Sequence, residues 1–317
     1  MTDTQNEVFK TPVSKIRLFE HGAPGSQNLK LTRKYYTEDM PDGRVKHIVQ
    51  NITDPDIVPY IPDGIGNSTD RQRIPAVLII PGGAFRRLVY NFEGEDVAKW
   101  LNSMGIAAFV LECRLPSDEH DNAEDVPLID AMRAMRVIRG RAQEFGIDEA
   151  KIGVMGFSAG GFMAALLSTA YESDVYADYK YKDEYDKLSA RPDFAVCSYP
   201  VISIDDCIEA GKRYMSEEQV LERISDSKAK ILHKYNPDKL VRPDMPPVFI
   251  CETDDDRTTL SENSVGFYMA ARKAGVSAEL HIFRTGGHGY GCGDDFAQTG
   301  EWKVLFTKWI KSIGIIS

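Results

Sequence analysis

The stretch KIGVMGFSAGGFMAALLST, from Lys151 to Thr169, places one serine between glycines where a strand-like pattern gives way to a helix-like one. A strand that ends at Gly156 and a helix that begins near Ser158 would hold this serine on a sharp, strained turn. Such a turn lifts the Ser158 hydroxyl above the sheet at a helix N-terminus, where the Ala159 N–H favours a developing negative charge. The alternative is an ordinary glycine-rich helix start, so partner residues elsewhere in the chain have to decide.

The rest of the chain alternates short β-rich apolar runs with helical patterns, which is typical of a mostly parallel sheet with helices on both faces. The runs are continuously apolar, as in strands that are covered on both sides. The predicted strands are 75–80, 106–112, 151–156, 193–199, 247–252 and 278–283, and the predicted helices are 93–104, 126–145, 158–171, 262–274 and 299–313. We therefore expect an α/β fold in one domain over residues 1–317.

Two segments depart from this alternation. Residues 1–70 contain extended stretches broken by glycine and proline, which we predict as antiparallel edge strands. Residues 203–246 are polar and include a stretch with helical periodicity. We interpret that segment as a small lid-like insertion on the core.

The charge balance of the chain argues against nucleic acid or an anionic membrane as a partner, because 38 Lys and Arg face 48 Asp and Glu for a net charge of −10. The first residues of the sequence do not show a basic region followed by an apolar core. The spacing of the five cysteines is not typical of a metal site. We expect a reduced, cytoplasmic protein without a metal or cofactor, a secreted form being the alternative. The sequence is compatible with a homo-oligomer.

A glycine-rich loop, PGGAF at 81–85, directly follows the predicted strand 75–80. Backbone N–H groups in such a loop can turn toward the space above Ser158 and complete an oxyanion hole. We predict Gly83 and Ala84 as donors, with Ala159 across the hole. The alternative is a plain turn after a strand.

A serine hydroxyl is a poor nucleophile unless a base removes its proton, and an imidazole is the usual base. His288 lies in RTGGHGYGCG, a glycine-rich loop after the last predicted strand, from which an imidazole can reach over the sheet edge. The other histidines fall in the N-terminal segment, an acidic loop, the predicted lid or a strand: His21, His47, His120, His233 and His281. His288 is therefore the predicted base, a surface position being the alternative.

Three consecutive acids, Asp254, Asp255 and Asp256, follow the predicted strand 247–252. An acid placed there can hold the tautomer of the imidazole and stabilise its charge. Neighbouring acids cannot be separated by spacing alone, and we favour Asp255 with the other two as alternatives. A solvated turn, a helix cap and a metal site are the other interpretations of this run.

Taken with these motifs, the sequence resembles α/β-hydrolase esterases related to bacterial acetyl-xylan esterases and feruloyl-esterase-like proteins. The similarity runs through PGGAF, EGEDVAKWLNSMGIAAFVLECRLP, GFSAGG, CETDDDRTTLSENS and GGHGYG. It implies a triad of Ser158, Asp255 and His288, because the first of the paired acids in that family aligns with Asp255. The chain departs from the pattern around this loop, where a third glycine or a histidine is common and this chain has Pro81 and Ala84.

The resemblance implies a serine carboxylesterase for short acyl groups, especially acetyl on a sugar or xylo-oligosaccharide. Phe85, Tyr90, Tyr199 and Tyr290 are candidate pocket walls because aromatic faces suit sugar rings, and Arg86 is a candidate contact to a polar or anionic part of the substrate. Core packing or solvent exposure is the alternative for each. The rival functions are a peptidase or amidase with the same triad and a non-catalytic α/β-hydrolase that binds a ligand or partner.

Overall fold

The computed structural model describes residues 9, 14–65, 73–216, 218–219, 227–293 and 298–317. Its strands are β1 (Ile16–Arg17), β2 (Lys34–Asp39), β3 (Val45–Gln50), β4 (Asp56–Tyr60), β5 (Ile74–Ile80), β6 (Leu88–Val89), β7 (Ala107–Glu112), β8 (Ile147–Phe157), β9 (Ala195–Ser198), β10 (Val248–Thr253) and β11 (Ala278–Phe283). Its α-helices are α1 (Asp96–Ser103), α2 (Val126–Gly140), α3 (Ala142–Phe145), α4 (Ala159–Ala170), α5 (Ile204–Tyr214), α6 (Ser227–Lys234), α7 (Ser261–Lys273) and α8 (Trp302–Ser312). A π-helical turn (Asn91–Glu95) leads into α1, and short 3₁₀ turns lie at Pro116–Asp118, Glu184–Lys187, Pro237–Lys239 and Thr299–Glu301.

Eight strands form one sheet in the order β1-β4-β7-β5-β8-β9-β10-β11. The six strands from β7 to β11 in that order pair in parallel, whereas β4 runs antiparallel to β7 and β1 runs antiparallel to β4 at the edge. Strands β2, β3 and β6 form a separate antiparallel sheet. The expected α/β architecture is confirmed, and the parallel order brings the carboxyl ends of β5, β8 and β10 to one edge of the sheet.

Burial explains the continuous apolar runs of the central strands. Every residue of β7 and β10 is buried, and so is all of β5 except its first residue. Helices α2 and α4 pack against each other, and α1 contacts α8 through the ring of Trp100, which meets Trp302 edge-on at 5.0 Å. Strands enclosed in this way bury apolar side chains on both faces.

Some observed boundaries differ from the predicted ones. The predicted helix 126–145 is interrupted at Arg141, whose backbone leaves the helical region, and the chain continues as α3 until Gly146 ends it with a φ of 67°. Glycine adopts this left-handed conformation without the steric cost that a side chain brings. Strand β8 begins four residues earlier than predicted, at Ile147.

The two irregular segments lie partly outside the described residues. In the segment 1–70, positions 1–8, 10–13 and 66–70 are outside, and the described part supplies the antiparallel strands β1 to β4. In the segment 203–246, positions 217 and 220–226 are outside, and the described part contains α5, α6 and a 3₁₀ turn. The lid-like role of 203–246 stays a prediction. Among the described residues, none of the helices has the length and apolarity needed to cross a lipid bilayer.

Gly156 is required where β8 meets the start of α4. A Cβ atom added at Gly156 would lie 1.9 Å from the carbonyl oxygen of Gly160, and one added at Gly160 would lie 1.9 Å from the carbonyl oxygen of Ile80. Both neighbours are backbone atoms, so relief requires the strand and the helix to separate. The two glycines that flank the serine motif therefore permit close packing of this turn.

Replacing Gly156 by alanine should lower the free energy of unfolding by about 3 kcal/mol, because overpacking against backbone forces main-chain shifts. Urea denaturation of the variant beside the wild type measures this change. Gly266 in α7 is the matched control, since a Cβ there meets nothing within 4 Å. Gly266→Ala should be neutral or stabilising by up to ~1 kcal/mol, and equal stability of the wild type and Gly156→Ala would contradict the packing argument.

Candidate active site

Ser158 stands on the turn between β8 and α4. Its backbone has a φ of 54° and a ψ of −118°, a conformation that costs a non-glycine residue roughly 1–3 kcal/mol. Its N–H donates to the carbonyl of Ser198 at 3.0 Å and its carbonyl accepts from the N–H of Phe162 at 3.0 Å. These bonds, together with the close glycine contacts, hold the strained turn and direct the side chain away from the strand.

The loop after β11 brings His288 to this serine. The Nε2 atom of His288 lies 2.8 Å from Ser158 Oγ, and its Nδ1 atom lies 2.6 Å from Asp256 Oδ2. Gly286, Gly287 and Gly289 have φ values of 156°, 62° and 79°, so the loop uses conformations that favour glycine on both sides of the histidine. The three side chains form one continuous hydrogen-bonded chain.

The acid in contact with His288 is Asp256, and the prediction of Asp255 is wrong. Asp256 is 2% exposed, and its Oδ1 accepts from the N–H groups of Thr258 at 2.7 Å and Thr259 at 3.0 Å. Burial acts to raise the pKa of the Asp256 carboxyl, but the hydrogen bond and charge of His288 and the two backbone donors hold that pKa below its ordinary value.

Asp255 supports the histidine loop from outside. Its side chain is exposed, and Oδ1 accepts from the N–H groups of Gly286 at 3.0 Å and Gly287 at 2.8 Å. Asp254 is exposed as well. Asp255 faces the glycine residues of the histidine loop and Asp256 faces the imidazole, because the chain turns as it leaves β10. Among the described residues, no group of three or more His, Cys, Asp or Glu side chains has an arrangement that could hold a metal ion.

The glycine-rich loop after β5 lies directly against the serine. A Cβ added at Gly82 would lie 2.9 Å from Ser158 Cβ, and Gly83 and Ala84 have φ values of 137° and 58°. Within the described part of the chain, the N–H groups of Gly83, Ala84 and Ala159 donate no hydrogen bond. These three N–H groups therefore have no acceptor among the described residues, and their role as oxyanion donors stays a prediction.

A small apolar cavity of about 10 Å³ opens beside this loop. Its lining residues come in part from the loop, from α4 and from the segment after β7, and they include Gly82, Phe85, Leu115, Ala159 and Met163. The Phe85 ring is 6% exposed and meets Phe162 edge-on at 5.5 Å. Phe85 is the predicted aromatic residue that the structure places in a cavity wall.

The other predicted substrate contacts lie elsewhere. Tyr90 and Tyr199 have no exposed surface, so neither ring forms the wall of an open pocket, and the Tyr90 hydroxyl lies 3.1 Å from that of Tyr60. Tyr290 is 5% exposed and packs on Tyr199 at 4.5 Å between ring centroids. Arg86 is exposed on the loop. The apolar bulk of the tyrosines serves packing beneath the site.

Glu93 is a site residue that the sequence analysis missed. It lies in the π-helical turn, is 4% exposed, and accepts from the N–H of Gly82 at 2.8 Å and from the hydroxyl of Tyr199 at 3.0 Å. Burial raises the pKa of its carboxyl, against the opposing effects of His288, Tyr199 and Gly82. The available signal was a glutamate inside EGED, one of the stretches that carry the family resemblance.

Comparison with known proteins identifies the family. A family model described as BD-FAE matches residues 65–270, about two thirds of the chain. The chain belongs to the BD-FAE family. The expected resemblance to acetyl-xylan-esterase-like α/β-hydrolases is confirmed, and the chain has the α/β-hydrolase fold.

Two curated relatives of this BD-FAE chain are known from bacteria. An acetylxylan esterase of Xylanibacter ruminicola is 31% identical over 75% of this chain and 45% of its own length. Endo-1,4-beta-xylanase B of Butyrivibrio fibrisolvens is 31% identical over 71% of this chain and 34% of its own length. The chain thus spans less than half the length of these two relatives.

A solved structure matches nearly the whole BD-FAE chain. The acetyl ester-xyloside bifunctional hydrolase of Caldicellulosiruptor lactoaceticus is 34% identical, with a TM-score of 0.71. The match covers 96% of this chain and 97% of that one.

Proposed function

We propose that this chain is a serine carboxylesterase that removes short acyl groups, above all acetyl, from a sugar or xylo-oligosaccharide. The observation that carries the proposal is the hydrogen-bonded chain from Ser158 through His288 to Asp256, on a strained turn beside three free N–H groups. Nucleophile, base and orienting acid in this order are the parts that covalent acyl transfer requires. The named activities of the relatives support acetyl esters of xylan as the substrate class.

In the proposed acylation step, Ser158 Oγ attacks the ester carbonyl while His288 Nε2 takes the hydroxyl proton. Asp256 accepts from His288 Nδ1–H, which holds the tautomer and stabilises the imidazolium. The carbonyl oxygen becomes an oxyanion held by the N–H groups of Gly83, Ala84 and Ala159. Collapse of this intermediate breaks the ester C–O bond, and His288 returns the proton to the leaving alcohol.

Deacylation repeats the same steps with water. His288 Nε2 takes a proton from a water molecule that attacks the acyl-Ser158 carbonyl, and the same N–H groups hold the second oxyanion. Ser158 recovers its proton from His288 as the carboxylic acid leaves. Each proton passes through one imidazole, whose position depends on the glycine-rich loop and Asp256.

The size of the apolar cavity supports a short acyl group. Its volume of about 10 Å³ has room for one group the size of water or a methyl. Two of its walls, Gly82 and Ala159, flank Ser158 on the loop and on α4. An acetyl methyl fits such a space, whereas a longer chain would need the wall at Met163 or Phe85 to move.

Shortening Met163 should widen the acyl preference. Met163→Ala is expected to raise the ratio of butyrate to acetate hydrolysis, as kcat/KM on nitrophenyl esters, by about tenfold, since methylenes in an apolar pocket discriminate by 10- to 200-fold. Met155→Ala is the matched control, because Met155 is a buried core residue on β8 that does not line the cavity. An unchanged ratio in Met163→Ala would contradict the assignment of this cavity to the acyl group.

The proposed function is tested with nitrophenyl esters from acetate to dodecanoate, followed by acetate release from acetylated xylo-oligosaccharides. We expect the highest kcat/KM on acetate and a steep fall beyond butyrate. Release of acetate from the oligosaccharides would support the sugar ester as substrate. A folded protein that hydrolyses none of the esters would overturn the proposal.

A further inference from the structure

Glu93 joins the two loops that approach Ser158 from opposite sides. On one side, Oε2 accepts from the N–H of Gly82, the residue before the proposed oxyanion donors, at 2.8 Å. On the other side, Oε1 accepts from the hydroxyl of Tyr199 at 3.0 Å, and that hydroxyl accepts from the N–H of Gly291 at 3.0 Å. Gly291 lies three residues after His288, so the connection ends in the histidine loop.

Each member of this connection is held in place by its own contacts. Tyr199 has no exposed surface, has a φ of 37°, and its N–H donates to the carbonyl of Cys251 at 2.7 Å. The carbonyl of Gly291 accepts from Trp302 Nε1 at 3.1 Å. A Cβ at Gly82 would lie 2.7 Å from Glu93 Oε2, so only glycine allows this approach. The Glu93 carboxylate is buried, and both of its donors are held in place by other contacts. Its two hydrogen bonds therefore fix the separation between Gly82 and Tyr199.

We propose that Glu93 is a positioning residue that sets the oxyanion loop and the histidine loop in register with Ser158, acting through Gly82 and Tyr199. This inference rests on the proposed function for its effect on turnover. The π-helical turn at Asn91–Glu95 serves the same purpose, because a local π-helix redirects side chains and often occurs at functional sites. The Tyr199 ring also lies edge-on to His288 at 5.0 Å between ring centroids, so a shift of Tyr199 reaches the base directly.

Glutamine cannot replace Glu93 in both contacts. Its amide has one acceptor oxygen and one donor nitrogen, whereas Gly82 N–H and Tyr199 O–H both need an acceptor. In Glu93→Gln, either the Gly82 N–H or the Tyr199 O–H therefore loses its acceptor, at nearly unchanged side-chain volume. Tyr199→Phe breaks the same connection one step further on, because it leaves Glu93 and Gly291 without their shared hydroxyl.

The test is the second-order rate constant for phosphonylation of Ser158 by a fluorophosphonate, followed by intact mass, together with kcat and KM on nitrophenyl acetate. We expect Glu93→Gln and Tyr199→Phe each to lower the labelling rate and kcat by about 10- to 100-fold, since small misplacements of reacting groups have effects of this size. KM should change by less than about threefold. The double variant should be no slower than the slower single variant, because both substitutions break one connection.

Two control variants separate this role from general structural damage. Glu95→Gln alters a glutamate of the same π-helical turn that pairs with Lys99 at 2.7 Å, and Tyr60→Phe removes a tyrosine hydroxyl that contacts Tyr90. Both controls should label at the wild-type rate. Thermal unfolding of every variant is measured in parallel, and if Glu93→Gln does not fold, Tyr199→Phe and its control provide the test.

The outcomes distinguish this inference from the proposed function. If the wild type is labelled, and Glu93→Gln and Tyr199→Phe are both labelled at the wild-type rate, the positioning role is overturned. Ser158 then remains the proposed nucleophile. Additive losses in the double variant, or losses in KM alone, also overturn it. A wild type that neither labels nor hydrolyses esters overturns the proposed function and with it any effect of Glu93 on turnover.

Discussion

Ser158→Ala should lower kcat/KM on nitrophenyl acetate by about 10⁴- to 10⁶-fold, the range expected when the nucleophile of a triad is removed. The Thr259 hydroxyl lies 3.2 Å from His288 Nδ1, on the other nitrogen from the one that meets Ser158, so it does not replace the lost attack. The free energy of unfolding should change by less than about 1 kcal/mol, because alanine keeps the β-carbon and the backbone contacts of the turn. Steady-state kinetics and urea denaturation of the same preparation measure both effects.

Ser158→Gly is the companion variant. The variant should be as inactive as Ser158→Ala, because it also lacks the hydroxyl. It should be more stable than Ser158→Ala by about 1–2 kcal/mol, because glycine adopts the φ of 54° seen at this position without steric cost. A gain in stability of this size would show that the backbone strain of the turn is the cost of holding the Ser158 hydroxyl in place. More than a hundredth of wild-type activity in both variants would contradict the nucleophile assignment.

Asp256→Asn should lower kcat by about 10³- to 10⁴-fold through the wrong imidazole tautomer. The N–H groups of Thr258 and Thr259 both donate to Oδ1, so an amide at this position keeps its oxygen toward them. Its NH₂ group then faces His288 Nδ1 and forces that atom to accept a hydrogen bond. The ring proton of His288 then lies on Nε2. This atom can therefore no longer accept the hydroxyl proton of Ser158.

Asp255→Asn is the matched control for that prediction. A single oxygen of Asp255 accepts from both Gly286 and Gly287, and an asparagine oxygen can accept the same two bonds. We expect a loss of less than about threefold in kcat, measured under the same conditions. A large loss in Asp255→Asn with little change in Asp256→Asn would contradict the acid assignment and restore the one predicted from the sequence.

The sequence pattern predicted the central elements well because their residues are buried on both sides. Strand β5 was predicted at 75–80 and is observed at Ile74–Ile80, and β10 was predicted one residue early. The turn at Ser158 followed from glycines that have no room for a side chain. Where burial on both faces requires a continuous run of apolar residues, the local sequence is enough to predict the strand.

The choice between Asp255 and Asp256 depended on geometry that spacing does not contain. The N–H of Asp254 donates to Phe283 at 2.8 Å and the N–H of Asp256 donates to Thr253 at 3.3 Å, and these two bonds set how the chain turns after β10. That turn aims one carboxylate outward at the glycine loop and the next inward at His288. Neighbouring acids of equal chemistry thus acquire different roles from the backbone path.

The positions of Glu93 and of the buried tyrosines could not be predicted from the sequence, because they depend on long-range contacts. The partners of Glu93 are 11 and 106 residues away along the chain, and no periodicity links them. Aromatic composition suggested sugar-facing walls at Tyr90 and Tyr199, whereas both rings are enclosed. A tyrosine suits a buried position as well as a pocket when its hydroxyl finds a partner, so sequence alone does not distinguish the two.

The most direct measurement is the mass of the peptide that contains Ser158, taken after acid quench during steady turnover of nitrophenyl acetate. The good leaving group makes deacylation the slow step, so the covalent intermediate accumulates. If Ser158 is the nucleophile, we expect one acetyl group on Ser158 in the wild type and none on this peptide in Ser158→Ala. An unmodified Ser158 peptide during active turnover, or an acetyl group that persists there in Ser158→Ala, would contradict that assignment.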